Sequence, residues 1–113
     1  MKLVTIILNK TEYLDKLLEE FGNNGISGAT IIDSKGMVQE LADLDREDLY
    51  FLVSLRSLLN PSHKENKTII TVAKDEDVAK ISKITNKVTG GLDNPDTGIL
   101  FTVPIDYLEG LNH

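Results

Sequence analysis

Apolar and polar positions repeat one pattern near both ends of the chain, a strand followed by a helix and a second strand. In the first unit, residues 2–8 form a β-branched apolar run, residues 13–21 place apolar side chains at helical spacing, and residues 28–35 return to an extended pattern. The second unit repeats this order over residues 67–73, 75–90 and 99–103. The pattern predicts two βαβ halves joined by a middle segment that has no counterpart.

Each predicted helix begins with a residue type that favours helix starts. Thr11 precedes the first helix and Asp75 the second, and both side chains are common N-caps. The acidic run 75–77 lies where the helix dipole is positive, which stabilises carboxylates without any metal ion. We therefore interpret this cluster as part of a helix start and predict no metal site there.

Two βαβ halves in 113 residues predict a single domain, 1–113, with an α+β fold of the ferredoxin-like split βαβ-βαβ kind. Right-handed crossovers place both helices on one face of the sheet. The other face is expected to be bare and apolar, with Val4, Ile6, Ile70 and Val72, or their neighbours, pointing outward. Such a face usually marks an interface, so we expect a homo-oligomer, with a homotrimer as the first choice.

The unrepeated middle segment, residues 35–66, is not loop-like in composition. Apolar residues at helical spacing predict an extra helix over residues 46–59. Two interpretations stay open: the helix packs on its own domain or a neighbouring subunit, or it is a mobile element that docks on a partner. In the second case the predicted partner contacts are Tyr50, Phe51 and Leu55.

Composition narrows the function classes. The chain has 18 acidic and 12 basic residues, a formal net charge of −6, which argues against binding to a nucleic-acid backbone. It has no cysteine, which excludes disulfides and thiolate metal sites. Its apolar runs are too short to span a bilayer, and its first residues lack the cleavage site of a signal peptide. We expect a cytoplasmic protein without membrane insertion.

No catalytic motif is present. The serines have no G-x-S-x-G context, and the chain has no Walker A, G-x-G-x-x-G or H-E-x-x-H sequence. His63 stands alone in a polar stretch, which is typical of a surface histidine. We therefore predict that the chain is not an enzyme and has no catalytic residues.

Glycines at the predicted turns are the remaining signal. Gly36 follows the second strand, Gly90 and Gly91 follow the second helix, and Gly98 precedes the last strand. Backbone N–H groups in glycine-rich turns can hold anions and phosphates, but glycines in turns also serve positive φ angles. Both interpretations stay open.

Three stretches resemble the PII nitrogen-regulatory signalling family. They are the opening strand with its leucine-rich helix, the stretch 25–31 (GISGATI) running into Lys35-Gly36, and Thr89-Gly90 followed by 98–105 (GILFTVPI). The resemblance covers most of the chain outside residues 37–66. It implies a trimeric ferredoxin-like sensor that binds adenine nucleotides such as ATP or ADP between subunits. The family's long loop after strand two docks on transporters or enzymes.

When the family's functional positions are matched to this sequence, the resemblance implies that Thr30 and Gly36 line the ligand cleft. It also implies that Gly90 and Gly91 belong to the loop around the phosphates and that Gly98 is the end of that loop. The chain differs from the family after Gly36, where Met37 and Val38 stand, and at Ile99, where the family has a basic residue. The leading hypothesis is a PII-like sensor that regulates a partner through residues 37–66. The alternative is an oligomeric interaction module without ligand sensing that uses helix 46–59 as a fixed contact surface. A small enzyme on the same fold ranks third.

Overall fold

A four-stranded antiparallel sheet carries two long helices in the computed structural model, which describes residues 1–42 and 65–111. The elements in chain order are β1 (Lys2–Leu8), α1 (Leu14–Asn23), β2 (Ala29–Ser34), α2 (Met37–Ala42), β3 (Asn66–Ala73), α3 (Val78–Thr89) and β4 (Gly98–Pro104). The predicted α+β, ferredoxin-like fold is confirmed.

The strands lie in the order β2-β3-β1-β4, so β1 and β3 are the central strands. Ile6 of β1 lies opposite Ile69 of β3 on one side and opposite Leu100 of β4 on the other. A central strand is paired along both edges, which is the position that the continuous apolar run of residues 2–8 predicts. Side chains directly opposite each other share a face of the sheet.

The hydrophobic core lies between the helices and one face of the sheet. Its members are Val4, Ile6 and Leu8 of β1, Ile69 and Ala73 of β3, Leu17 and Phe21 of α1, and Ile81 and Ile84 of α3. Both helices therefore lie on the same face, as right-handed crossovers require.

Two of the four residues predicted on the bare face, Val4 and Ile6, lie in the core instead. Val4 and Ile6 are both 0% exposed and contact the helices, whereas Ile70 and Val72 alternate with the core residue Ile69 and point the other way. Periodicity could not decide this for β1, because the residues at odd and even positions of the strand are both mainly apolar. We call the bare side the open face; its apolar members are Leu3, Ile7, Ile32, Ile70, Val72, Ile99, Phe101 and Val103.

The helix starts also differ from prediction. Thr11 and Asp75 do not cap; each begins a short 3₁₀ turn, and neither turn nor helix start has a side-chain capping bond. Asp75 instead binds the amino group of Met1 at 3.0 Å. The hydrogen bond from this ammonium group, followed by its charge, lowers the pKa of Asp75. The acidic side chain thus holds the first strand against the start of the second helical segment.

The middle segment begins as a helix, α2, directly after the turn at Gly36. The helix predicted over residues 46–59 lies outside the described residues, and so do Tyr50, Phe51 and Leu55. In the part of the chain that the structure describes, no helix has the length and apolarity that crossing a membrane requires.

Phe21 provides a test of this core, because its side chain is 1% exposed between α1 and the sheet. Phe21→Ala should lower the free energy of unfolding by about 3–5 kcal/mol, through lost burial and the cavity that remains. Urea denaturation at fixed protein concentration measures the change. Glu19→Ala, on the exposed side of the same helix, is the matched control and should change it by less than about 0.5 kcal/mol. Similar losses in both variants would contradict this placement of α1.

Candidate ligand site at the glycine turns

Four of the five predicted ligand-binding residues lie at one end of the sheet. Leu8, at the end of β1, lies opposite Gly98, and Ser34, at the end of β2, lies opposite Asn66. Gly36 follows β2, and α3 returns its Gly90 and Gly91 to this end before β4 begins. We call this region the turn end. The topology therefore brings Gly36, Gly90, Gly91 and Gly98 to a common end of the fold.

Thr30, the fifth predicted residue, lies elsewhere. It is exposed on the open face, opposite Ile70 and in the same row as Thr5. It lies four positions before Ser34, a distance of about 13 Å along a strand. Within one chain Thr30 is therefore not part of the turn end.

A polar cluster beside Gly36 was not predicted. Asn66 is 9% exposed, and its Oδ1 accepts a hydrogen bond from Ser34 Oγ. Its Nδ2 donates to Asn9 Oδ1 at 3.4 Å, and Ser34 Oγ lies 2.7 Å from Thr68 Oγ1. We call Asn9, Ser34, Asn66 and Thr68 the amide–hydroxyl cluster. It ties the ends of β1 and β2 to the start of β3. The sequence feature that could have indicated this cluster is the presence of uncharged polar residues at the ends of three strands.

Two lysines at the turn end are already paired. Lys35 Nζ lies 3.1 Å from Glu40 Oε2, and Lys67 Nζ lies 2.5 Å from Asp33 Oδ1. The hydrogen bond to Asp33 raises the pKa of Lys67, with smaller support from the charge of Asp33. Because each of these cations already has an anionic partner, neither provides an uncommitted charge for a phosphate.

Lys10 is a cation next to the turn end that sequence reasoning missed. The backbone N–H groups of Asn9 and Lys10 donate to the carbonyl oxygen of Thr97 at 3.0 and 3.3 Å. Thr97 directly precedes Gly98, so these bonds hold Lys10 beside the start of β4. Among residues 1–42 and 65–111, the Lys10 side chain has no ion-pair partner.

The glycines differ in why they are needed. Gly98 has φ +155°, and a Cβ there would lie 2.6 Å from the carbonyl oxygen of Ile7, so only glycine lets β4 approach β1. Gly90 ends α3 in the left-handed conformation with φ 84°. Gly36 has neither constraint, since the nearest atom to a Cβ at this position would be Asn66 Nδ2, 3.8 Å away. Folding therefore explains Gly98 and Gly90 but does not explain Gly36.

The loop between α3 and β4 is organised by its own hydrogen bonds. The N–H of Gly91 donates to Thr89 Oγ1 at 3.4 Å, that of Leu92 to Asn86 Oδ1 at 2.8 Å, and that of Asn94 to the Gly91 carbonyl at 3.1 Å. These three donors could hold an anion only by giving up their present partners. Among the described residues there is also no group of three or more His, Cys, Asp or Glu side chains that could hold a metal ion.

A known protein family matches almost the whole chain. The family described as nitrogen regulatory protein P-II matches residues 1–111. The chain belongs to the P-II family. Proteins of the P-II family are signalling regulators rather than enzymes, and the fold described above is that of the family. No curated protein matches the chain. The resemblance seen in three sequence stretches is confirmed, and the P-II match also spans the middle segment.

Gly36 and Gly98 form a matched pair for testing which glycine is structural. Gly98→Ala should lower the free energy of unfolding by about 1–3 kcal/mol, because the new methyl group meets the backbone of Ile7 at a strained φ. Gly36→Ala should change it by less than about 0.5 kcal/mol. Urea denaturation of both variants measures the difference. Equal stability of the two would show that β4 does not approach β1 this closely.

Proposed function

We propose that the chain is a P-II signalling subunit that binds an adenine nucleotide or a related ligand at the turn end, between subunits, and regulates a partner protein through residues 37–66. The observation that carries this proposal is that Gly36, Gly90 and Gly98 share one end of the fold with the amide–hydroxyl cluster, whose Asn66 is buried. Family membership supports the signalling role. The proposed setting is the cytoplasm, in keeping with a chain that has no cysteine.

The open face supports assembly into a homo-oligomer. Ile99 is 53% exposed and Phe101 42% exposed, and both lie in register with residues of β1 on the same face. Apolar rows on neighbouring strands form a continuous surface, and surfaces of this kind are usually covered by another protein. We propose that two further copies cover it, which gives a homotrimer.

Assembly on the open face would also complete the ligand site. Thr30, Ile32 and Ser34 alternate onto the open face, and Ser34 belongs to the amide–hydroxyl cluster. A neighbouring copy laid on this face therefore comes close to the turn end. In this proposal, Thr30 of one subunit joins Gly36, Gly90, Gly91 and Gly98 of another, although these residues are apart within one chain.

Different groups at the turn end suit different parts of a nucleotide. The amides and hydroxyls of Asn66, Ser34 and Thr68 suit the hydrogen-bonding groups of a base or a sugar. Lys10 is the proposed phosphate contact, since Lys35 and Lys67 are paired. ATP, ADP and AMP differ in how much charge they bring to this one cation, so their order of affinity would report its role.

The start of the middle segment is bonded to the proposed site. The N–H of Glu40 donates to the Gly36 carbonyl at 3.0 Å, and the Glu40 carboxylate pairs with Lys35. A ligand that contacts Gly36 would therefore act on the first turn of α2. It would shift the segment only if it binds one arrangement better than another. Tyr50, Phe51 and Leu55, further along the segment, are the proposed contacts for a regulated transporter or enzyme.

The internal bonding of the loop after α3 favours a second candidate. Because the N–H groups of Gly91, Leu92 and Asn94 are already engaged, the chain could serve as an oligomeric interaction module that senses no ligand. Its fixed contact surface would then be the helix predicted over residues 46–59.

A nucleotide panel separates the two candidates. At about ten times its dissociation constant, a bound nucleotide should stabilise the native state by about 1.4 kcal/mol and raise the melting temperature by roughly 5 °C. Thermal shift with ATP, ADP, AMP and cyclic dinucleotides at millimolar concentration measures this. Gly36→Val and Lys10→Gln should reduce the shift, whereas Gly22→Ala, in open space on α1, should leave it unchanged. No shift with any nucleotide would favour the interaction module.

The oligomer is tested independently of any ligand. Light scattering should give the mass of three chains for the unmodified protein. Phe101→Asp places a charge on the open face and should shift the mass toward one chain, because burying an unpaired carboxylate is costly. Ala79→Asp adds the same charge to an exposed position of α3 and should leave the mass unchanged. A monomeric mass for the unmodified protein would contradict the trimer.

A further inference from the structure

A groove of 640 Å³ lies between α1 and α3 and is lined by residues of the two helices and by Asn24, just beyond α1. Lys80, near the start of α3, donates to the carbonyl oxygen of Asn24, just beyond the end of α1, at 3.0 Å. The two helices therefore run antiparallel, and the groove follows them. We call it the lysine groove.

The charge of the lysine groove is opposite to that of the chain. The chain carries a formal net charge of −6, whereas the groove gathers Lys16, Lys80, Lys83 and Lys87 around the carboxylate of Glu20. An excess of cations in one groove of an acidic protein makes that groove the local attractor for negative charge.

Two of these four lysines, Lys16 and Lys80, are paired with carboxylates of the same chain. Lys16 lies 3.3 Å from Glu20, and Lys80 lies 3.7 Å from Asp77. Lys83 and Lys87 have no anionic partner within residues 1–42 and 65–111. Lys87, in the last turn of α3, complements the helix dipole, but Lys83 is mid-helix and has no such role. The i,i+4 spacing of the two like charges destabilises an isolated helix, so an anionic partner would relieve a repulsion.

The floor of the groove is apolar. Ile84 is 9% exposed and belongs to the hydrophobic core, and Val88 packs against that core one turn later. Lys80, Lys83 and Lys87 follow one face of α3 over about 10 Å, or two helical turns. A strip of this length with an apolar floor and a cationic rim matches an amphipathic helix laid between two others.

The groove would stay accessible in an oligomer built on the open face. Ile84 contacts the core on the helix side of the sheet, whereas Ile99 and Phe101 lie on the opposite side. Occupation of the groove therefore does not require the open face to be free.

We propose that the lysine groove docks an acidic amphipathic helix of a partner protein. Acidic side chains of that helix, three or four residues apart, would pair with Lys83 and Lys87, and its apolar side chains would cover Ile84 and Val88. The carboxylates of Glu20 and Asp77 lie among the lysines and would repel a uniform polyanion, so a segment of mixed apolar and acidic character fits better than nucleic acid or a flat anionic membrane. A contact of two or three turns is small, and we expect micromolar, salt-sensitive binding.

The test uses the full chain and a labelled synthetic helix of about 14 residues, with leucine on one face and glutamate on the adjoining face. Fluorescence anisotropy at low salt should give a dissociation constant in the micromolar range. The double variant Lys83→Glu with Lys87→Glu should weaken binding at least tenfold. Lys74→Glu, an exposed lysine outside the groove, makes a single charge reversal and should leave the affinity within twofold.

Two further probes keep the result specific. A scrambled peptide of the same composition, with glutamate on all sides, should bind at least fivefold more weakly. The Lys83→Glu, Lys87→Glu variant should bind a peptide with lysine in place of glutamate more tightly than the unmodified protein does, which excludes unfolding as the cause of the loss. Equal binding of the ordered and scrambled peptides, or an unchanged affinity in the double variant, would overturn the proposal. Binding to anionic vesicles or RNA without binding to the peptide would overturn it as well.

Discussion

Pairing of β1 along both of its edges is the constraint on which the rest of the molecule depends. Because Ile6 lies opposite both Ile69 and Leu100, the register of one strand decides which residues of three strands face the helices. The same register places Ile7 beside Ile99 on the open face and Leu8 beside Gly98 at the turn end. A slip of one residue would exchange the core and the open face together. The core, the proposed interface and the proposed ligand site are thus set by one alignment.

The order and type of the four strands and of α1 and α3 could be predicted from sequence, because β-branched apolar runs mark the strands and apolar residues at helical spacing mark the two helices. The faces of β1 could not, since Leu3, Val4, Ile6 and Ile7 are all apolar and only packing against α1 and α3 distinguishes them. The helix starts failed for a related reason. Asp75 has the chemistry of a cap, but a tertiary partner, the amino group of Met1, competes for its carboxylate.

The candidate site was predictable only through its glycines. A glycine can be recognised as a turn residue from the sequence alone, because it adopts positive φ angles readily. The role of Asn66 could not be recognised in this way, because it depends on Ser34 and Asn9, which are distant along the chain. The structure also shows which glycines the fold itself requires. Gly98 is required by the backbone of Ile7, so its presence says little about a ligand. Gly36 has no such requirement, which makes it the more informative residue about function.

Gly36 also has the position that the proposed signalling function needs. Its carbonyl accepts the first hydrogen bond of α2, while its neighbour Ser34 is bonded to the buried Asn66. One side of this turn is therefore anchored to the sheet, and the other begins the segment that the family resemblance assigns to partners. In the proposed function, a ligand at this turn would contact the hydrogen-bonded end of the sheet on one side, so any adjustment would fall on the Gly36–Glu40 hydrogen bond and the Lys35–Glu40 ion pair. An exposed ion pair is weak, so breaking the Lys35–Glu40 pair would add little to the free energy that moving α2 requires.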